Sequence, residues 1–238
     1  MPGIGEAGQQ RLAGARVVVL GAGGLGFPVL SYLGAAGVGT VVIVDHDTVE
    51  ASNLNRQCLF SENDIGEPKA TAAARHLATR NSEVRWEPVQ APLSEDLAGR
   101  LLVGADLAVD CADNWGARVV LAAAAWRAGV PLLHGAVASF EGTLAWFEPP
   151  AGPCFRCVYP EPRPSGGLKP VLGGVAGVVG SLMASEAIRA LCGIGDRHAG
   201  LLLIDLERRT FDRVTAAVRP GCPLCGGAGG VAAAHSER

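Results

Sequence analysis

The feature that most constrains the fold is the glycine-rich segment GAGGLG, which contains Gly21, Gly23, Gly24 and Gly26. It follows the apolar run RVVVL, and Asp45 comes nineteen residues after its last glycine, at the end of TVVIVD. A glycine loop between a strand and a helix, followed at this distance by an acid, is typical of nucleotide-binding α/β folds, in which the acid accepts hydrogen bonds from ribose hydroxyls. The alternative is a tight turn that serves packing alone.

Apolar strand patterns alternate with helical patterns through the first half of the chain, which predicts a Rossmann-like, doubly wound, mostly parallel sheet. After residue 131 strands follow one another without helices, so antiparallel strands should continue the sheet. We expect a single domain over 1–238, with a nucleotide-binding half (1–135) and a half that contains antiparallel strands, a crossover loop and a metal site (136–238). The predicted strands are 16–20, 40–45, 83–89, 106–111, those within 131–149 and a hairpin at 200–214; the predicted helices are 24–37, 68–81, 94–103, 114–129 and 171–191.

Composition and charge narrow the classes of partner. The net charge is −3 with no long basic run, which argues against nucleic acid, because phosphate binding needs clustered Lys and Arg. No basic segment followed by an apolar one begins the chain, so we expect a cytoplasmic protein with reduced cysteines. The stretch 171–191 has only fifteen uncharged residues before Glu186, which favours a buried helix and no membrane partner.

Charged and amide side chains follow the predicted strands at the point where each one ends. Asn53 and Arg56 come shortly after the second strand, Lys69 lies in the first turn of the predicted helix 68–81, and Asp113 follows the fourth strand. The carboxyl ends of parallel strands share one crevice, so these side chains can face one ligand. Two cations and a carboxylate suit a triphosphate and its Mg²⁺, whereas a nicotinamide ring requires an apolar pocket. The combination favours MgATP, although each charge alone is a common surface group.

Four cysteines in two C-x-x-C pairs predict a metal site. Cys154 and Cys157 form one pair and Cys222 and Cys225 the other, with a gap of 64 residues (158–221) between them. Four thiolates complete a tetrahedral zinc site, which would tie the C-terminal part back to the middle of the chain. The alternative is a redox dithiol, but such motifs sit at a helix start near a βαβ unit, and we predict that neither pair does. Of the other cysteines, Cys111 and Cys192 are interpreted as buried, inert thiols.

The sequence resembles the ThiF/MoeB/HesA family of bacterial adenylyltransferases, which are related to the ubiquitin-activating enzymes. The resemblance covers nearly the whole chain and depends on seven motifs in the family's order: GAGGLG, VDHDTVEASNLNRQ, IGEPKA, DCADN, CFRCVYPE, GVVGSLMASEAIR and GCPLCG. It implies ATP-dependent adenylation of the C-terminal Gly-Gly carboxylate of a ubiquitin-like sulfur carrier protein of the ThiS/MoaD type. The products are pyrophosphate and an acyl-adenylate ready for sulfur transfer.

The resemblance also implies roles for individual residues. Asp45 is similar to the ribose ligand, Asn53 to a phosphate-side contact, Arg56 and Lys69 to the phosphate ligands, and Asp113 to the essential Mg²⁺ ligand. The four paired cysteines resemble the family's structural zinc site, and family members are commonly homodimers. A dimer interface or close core packing would explain why Gly173, Gly177 and Gly180 share one helix face.

The sequence departs from the family pattern at two places. Where many members have a cysteine used in covalent transfer, Ser165 or Gly166 stands here, so we expect adenylation without a cysteine-linked step. The family's further N-terminal helix before GEAGQQRL, with an arginine for the partner's nucleotide, is not evident, and Arg11 or Arg16 is a possible substitute. We expect no rhodanese-like domain after the second cysteine pair. The alternatives that stay open are an NAD(P)-dependent oxidoreductase and a catalytically reduced, zinc-stabilised scaffold.

Overall fold

A computed structural model describes residues 3–161, 170–195 and 200–226. One eight-stranded sheet runs through both halves, with strand order β3-β2-β1-β4-β5-β6-β7-β8. The first five strands pair in parallel and the last three pairings are antiparallel, as the sequence predicts. The strands are β1 Arg16–Leu20, β2 Thr40–Val44, β3 Arg85–Val89, β4 Leu107–Asp110, β5 Leu132–Ala138, β6 Glu141–Phe147, β7 Gly200–Asp205 and β8 Thr210–Thr215.

Helices cover both faces of the parallel part of this sheet. They are α1 Gly5–Gly14, α2 Gly26–Ala36, α3 Lys69–Ala78, α4 Glu95–Leu101, α5 Trp115–Ala128, α6 Phe155–Val158 and α7 Gly173–Leu191. Ser94, the first residue of the predicted helix 94–103, caps α4, since its side chain accepts a hydrogen bond from the Leu97 amide at 3.1 Å. Helix α1 is absent from the sequence predictions because it buries only Gly8 and Leu12 and so lacks a continuous apolar face.

The core lies in two layers, one on each face of the sheet. In β1, Val17 and Val19 belong to the layer with α2 and α7, while Val18 and Leu20 belong to the layer with α4 and α5. Successive side chains of a strand point to opposite faces, so a strand covered on both sides reads as a continuous apolar run. This burial explains why RVVVL and TVVIV contain so little polarity.

The glycines of α7 have two different surroundings. A Cβ on Gly180 would lie 2.3 Å from Pro28 Cγ of α2, and one on Gly173 would lie 2.7 Å from the Asn55 carbonyl oxygen. Close packing within the chain therefore accounts for these two residues, whereas a Cβ on Gly177 would meet no atom within 4 Å. By length and composition α7 could cross a membrane, yet it packs against α2, β5 and β6 as the predicted core helix does.

The segment that follows β6 contains the one-turn helix α6. Cys154 occupies the N-cap position of this helix without a side-chain capping hydrogen bond. The first pair therefore lies at a helix start, but the prediction that neither pair lies at a helix start near a βαβ unit is confirmed for it, because β6 is antiparallel to β5. The turn forms because the Cys157 amide bonds back to the Cys154 carbonyl at 2.9 Å. It follows an antiparallel strand and not a βαβ unit. Ser165 and Gly166 lie outside the described residues.

Candidate functional site

The glycine loop connects β1 to α2 at the carboxyl edge of the sheet. Gly21 has φ +96°, and a Cβ there would lie 2.8 Å from the Cys111 carbonyl oxygen. A Cβ on Gly26 would lie 2.0 Å from the Gly21 carbonyl oxygen, so no other residue fits at the start of α2 without a backbone shift. The loop thus brings the backbone at the N-terminus of an eleven-residue helix close to any ligand in the crevice, where partial positive charge favours phosphate.

Asp45 follows β2 directly and lies beside this loop. Its Oδ2 accepts a hydrogen bond from the Ala22 amide at 2.8 Å, and its Oδ1 accepts one from the Asp47 amide at 2.9 Å. Burial raises the pKa of Asp45, while these two amides and the charge of Lys69 act in the opposite direction. The carboxylate is held rigidly, and each oxygen keeps a lone pair for a ligand hydroxyl.

The polar segment after β2 contacts the glycine loop. A Cβ on Gly24 would lie 3.6 Å from Arg56 Cγ, and the Arg56 guanidinium donates to the Ser52 carbonyl at 3.1 Å and to Asn55 Oδ1 at 2.9 Å. Asn53 is buried, and its Oδ1 accepts a hydrogen bond from the Glu50 amide at 3.3 Å. Asn53 therefore shapes the short 3₁₀ turn at Ala51–Asn53, which presents the partly exposed Arg56 to the loop.

Gln57 lies in the same segment, and the sequence assigned it no role. It is 4% exposed, and its Oε1 has no hydrogen-bond partner among the described residues. Its Nε2 lies 3.4 Å from where a Gly23 Cβ would be, so the amide faces the glycine loop. A buried, unpartnered amide oxygen is costly unless a ligand or water satisfies it, which indicates that this edge is built to hold a polar group. The donor-rich run NLNRQ was the available signal.

Lys69 begins α3 and is almost wholly buried. Its Nζ lies 3.0 Å from Asp47 Oδ2, and its backbone amide donates to the Asp47 carbonyl at 2.9 Å. The side chain of Lys69 is 7% exposed and that of Asp47 is 47% exposed. Asp47, which the sequence reasoning did not single out, therefore anchors the lysine next to Asp45. A buried ammonium beside a half-exposed acid can exchange that partner for a phosphate oxygen.

Asp113 lies in the turn between β4 and α5. Its side chain is exposed, and it makes no hydrogen bond or ion pair with any residue that the structure describes. Asn114 caps α5 by accepting a hydrogen bond from the Ala117 amide at 2.8 Å, which fixes the end of the turn. Exposed carboxylate oxygens are the ligands that Mg²⁺ takes in nucleotide sites, so Asp113 fits that ion chemically. The turn adjoins the glycine loop through the contact of Gly21 with Cys111.

The four paired cysteines lie together, two from the segment that follows β6 and two from the segment that follows β8. Their Sγ atoms all lie within 4.8 Å of one another, and three pairs are 3.4, 3.5 and 3.7 Å apart. A tetrahedral zinc site with Zn–S bonds of about 2.3 Å requires Sγ–Sγ distances of about 3.8 Å. A disulfide would need about 2.05 Å. The cluster therefore fits zinc and excludes disulfides in this arrangement. Its ligands would be Cys154, Cys157, Cys222 and Cys225.

The surroundings of these thiols differ. Although burial opposes ionisation, the Cys225 and Leu224 amides lower the pKa of Cys222 to about 6. Burial raises the pKa of Cys154 well above its usual range. A dication would favour the thiolate at all four positions, because a coordinating thiol loses its proton. Cys111 and Cys192 are buried as predicted, and burial raises the pKa of each, which keeps both thiols unreactive.

Comparison with known proteins shows the same architecture and family. The sequence profile of the ThiF family matches residues 1–224. The sulfur carrier protein adenylyltransferase of Thermus thermophilus is 46% identical over 237 residues, covering 95% of this chain and 88% of the relative. The SAMP-activating enzyme E1 of Haloferax volcanii is 42% identical, covering 96% and 87%.

A solved structure of Escherichia coli MccB superposes with a TM-score of 0.82 at 24% identity, covering 92% of this chain and 67% of that one. At this identity the likeness concerns the fold alone. The family assignment depends on the profile match and the two close relatives, which span almost the full sequence. This chain belongs to the ThiF family.

Proposed function

We propose that this enzyme uses MgATP to adenylate the C-terminal Gly-Gly carboxylate of a ubiquitin-like sulfur carrier protein. The observation that carries the proposal is the arrangement of Asp45, Arg56 and Lys69 around one glycine loop at the carboxyl edge of the sheet. The names of the two close relatives, a sulfur carrier protein adenylyltransferase and a SAMP-activating enzyme, support the choice of a carrier protein as the second substrate.

The chemistry needs positioning more than acid–base catalysis. An oxygen of the carrier carboxylate attacks the α-phosphorus of ATP, the bond from that phosphorus to the bridging oxygen of the β-phosphate breaks, and pyrophosphate leaves with the bonding electrons. The carboxylate is already a nucleophile at neutral pH, so no general base is required. Orientation of the reactants and stabilisation of phosphate charge then lower the barrier.

The site residues divide this work in the proposed reaction. Asp45 holds the ribose hydroxyls, while Arg56 and Lys69 bind phosphate oxygens and stabilise the charge that develops on pyrophosphate. Asn53 supports Arg56, because the Arg56 amide donates to the Asn53 carbonyl oxygen at 3.1 Å directly after the 3₁₀ turn. Asp113 would hold Mg²⁺, whose positive charge neutralises the phosphates.

We further propose a structural zinc ion on the four-cysteine cluster. The Sγ–Sγ distances and a ligand set made of four cysteines support a closed site that serves stability. Zinc there would join the segment after β8 to the segment that contains α6, so it would hold the C-terminal part of the described chain against the sheet.

A homodimer is also proposed. An apolar groove of about 820 Å³ lies between α2, α3 and α7, and it includes Gly177, Val178 and the half-exposed Tyr32. This open glycine and these exposed apolar side chains are suited to a helix from a second copy. In this assembly α7 is a core and interface helix, and we propose neither a membrane nor a nucleic acid as a partner.

Pyrophosphate exchange tests the proposed reaction directly. Purified protein, MgATP, labelled pyrophosphate and a carrier ending in Gly-Gly should give labelled ATP, and omission of the carrier should remove most of the signal. Asp113→Ala should lower exchange by at least about 100-fold, because removal of one electrostatic element of such a site typically costs that much. Asp96→Ala, an exposed acid in the first turn of α4, is the matched control and should leave exchange unchanged.

The outcome also separates the alternatives. Micromolar NADH binding without exchange for any Gly-Gly carrier would favour an oxidoreductase. Failure of the protein to bind either nucleotide, while it keeps its zinc, would favour a scaffold.

A further inference from the structure

A buried acid–imidazole pair lies directly beneath the Asp113 turn. Asp110 is the last residue of β4, and it stands next to His134 of β5 in the sheet register. Both side chains are at least 99% buried, and His134 Nδ1 lies 2.7 Å from Asp110 Oδ2. A carboxylate only accepts hydrogen bonds, so the ring nitrogen that faces it carries the hydrogen. The adenylation chemistry described above uses neither residue.

The second carboxylate oxygen of Asp110 holds the turn itself. Asp110 Oδ1 accepts a hydrogen bond from the Ala112 amide at 3.0 Å. On the other side, the Arg118 side chain of α5 donates to the Ala112 carbonyl oxygen, with Nε at 3.0 Å. The residue immediately before Asp113 is thus fixed at both its amide and its carbonyl. A change in the orientation of Asp110 would therefore move the backbone that presents Asp113.

The His134 ring is itself fixed by aromatic packing. Its centroid lies 5.3 Å from that of Phe155 and 5.5 Å from that of Tyr159, with edge-to-face geometry in both cases, and 6.4 Å from that of Phe147. Such contacts leave a buried ring little freedom to rotate. The imidazole hydrogen therefore has a defined direction, toward Asp110.

We propose that His134 is a positioning residue for the Asp113 turn: it locks the Asp110 carboxylate in the orientation in which that carboxylate holds Ala112. The importance of this role for catalysis rests on the proposed function, in which Asp113 holds Mg²⁺. His134 touches neither substrate nor metal in this proposal and acts only through Asp110 and the turn.

Three variants separate the hydrogen bond from the shape of the ring. His134→Asn keeps an N–H donor close to the position of Nδ1, His134→Gln moves the donor outward, and His134→Phe keeps the ring but removes the donor. Each variant is compared with wild type for circular dichroism, zinc content and thermal unfolding. Backbone hydrogen exchange over residues 107–118 is then measured on the free protein, without ATP or carrier.

We expect exchange of the Ala112 amide to accelerate at least about tenfold in His134→Phe and His134→Gln, and to stay near wild type in His134→Asn, since a buried carboxylate without its donor reorients or takes up water. The Mn²⁺ concentration for half-saturation of the protein–ATP complex, followed by water proton relaxation, should rise about tenfold in the same two variants. Binding of metal-free ATP should not change. If His134 had a merely structural role, the variants would have lower unfolding temperatures, but His134→Asn and His134→Gln would not differ in Ala112 exchange or in Mn²⁺ binding.

Unchanged exchange protection in a folded His134→Phe or His134→Gln protein would overturn the proposal, and so would His134→Asn behaving like them. If His134→Phe does not fold, the comparison of His134→Asn with His134→Gln still decides whether the hydrogen-bond donor at this position protects the Ala112 amide. Hydrogen exchange is measured without substrate, so a protein that shows the expected protection pattern but no carrier-dependent pyrophosphate exchange would disprove the adenylation proposal and not the positioning role.

Discussion

Replacement of Lys69 by methionine should separate what this residue does for stability from what it does for ATP. The ammonium group is almost wholly buried, and its one ion-pair partner among the described residues, Asp47, is nearly half exposed. Methionine has a similar length and can fill the same space without a charge. The substitution therefore removes a buried cation and leaves Asp47 in contact with water. His46 Nε2 also stays near this acid, 3.3 Å from Asp47 Oδ1.

The expected change in the free energy of unfolding is small. A half-exposed ion pair contributes about 0–1 kcal/mol, and relief from burying an ammonium acts in the opposite direction. The substitution also removes the positive charge of Lys69, which favours the ionised form of the buried Asp45. Part of the stability gained by removing a buried ammonium is therefore lost again. These effects oppose one another, so the free energy of unfolding of Lys69→Met, measured by urea titration, should lie within about 1 kcal/mol of the wild-type value.

The expected effect on the reaction is large by comparison. Loss of one fixed charge that stabilises a transferring phosphate costs about 100–1,000-fold in rate, which corresponds to about 2.7–4 kcal/mol. Carrier-dependent pyrophosphate exchange measures it, and the ATP concentration dependence shows whether binding or the chemical step is lost. Arg100→Met is the matched control, because Arg100 also pairs with an aspartate but lies on the surface of α4. It should change stability by less than about 0.5 kcal/mol and leave exchange intact.

Two results would refute this reasoning. Exchange within about threefold of wild type would mean that Lys69 does not contact the phosphates during the reaction. A loss of stability above about 3 kcal/mol would mean that the buried ammonium serves the fold, as the removal of one partner of a fully buried pair does.

Two further predictions concern stability. Zinc on the cluster would close a loop of 68 residues between Cys154 and Cys222, so Cys222→Ser or chelation should lower the free energy of unfolding by up to about 4 kcal/mol, and active protein with much less than one zinc per chain would contradict this. Asp64 is buried, which alone would raise its pKa, but hydrogen bonds from Ser61, Arg75 and His76 lower it well below the usual range. Asp64→Asn should therefore cost about 1–2 kcal/mol near pH 7, and the difference should shrink below about pH 4, where protonation removes the advantage of the wild-type carboxylate; a constant difference across that range would exclude this cause.

Much of the fold could be predicted because its signals are local. The strand RVVVL, the glycine loop and the following helix are adjacent in sequence, and continuous apolar runs report burial on both faces of a parallel sheet. The two C-x-x-C pairs could be predicted to lie close together, because a closed zinc site requires four ligands and each pair supplies two thiolates. Helix α1 escaped prediction since it buries two residues and presents no apolar stripe.

What only the tertiary structure decided are contacts between residues distant in sequence. The Asp47–Lys69 pair spans 22 positions and the Asp110–His134 pair spans 24, and no periodic pattern connects either. Gln57 looked like one more polar residue in a polar run. Only the structure shows that it is buried, that its Oε1 has no partner among the described residues and that its Nε2 faces the glycine loop. The sequence by itself determined the alternating sheet, the nucleotide loop and the cysteine pairs, because short-range geometry and covalent spacing specify them. Packing decided which acids and cations are buried and which residue holds the turn before Asp113, because burial and hydrogen-bond direction exist only once the strands have paired.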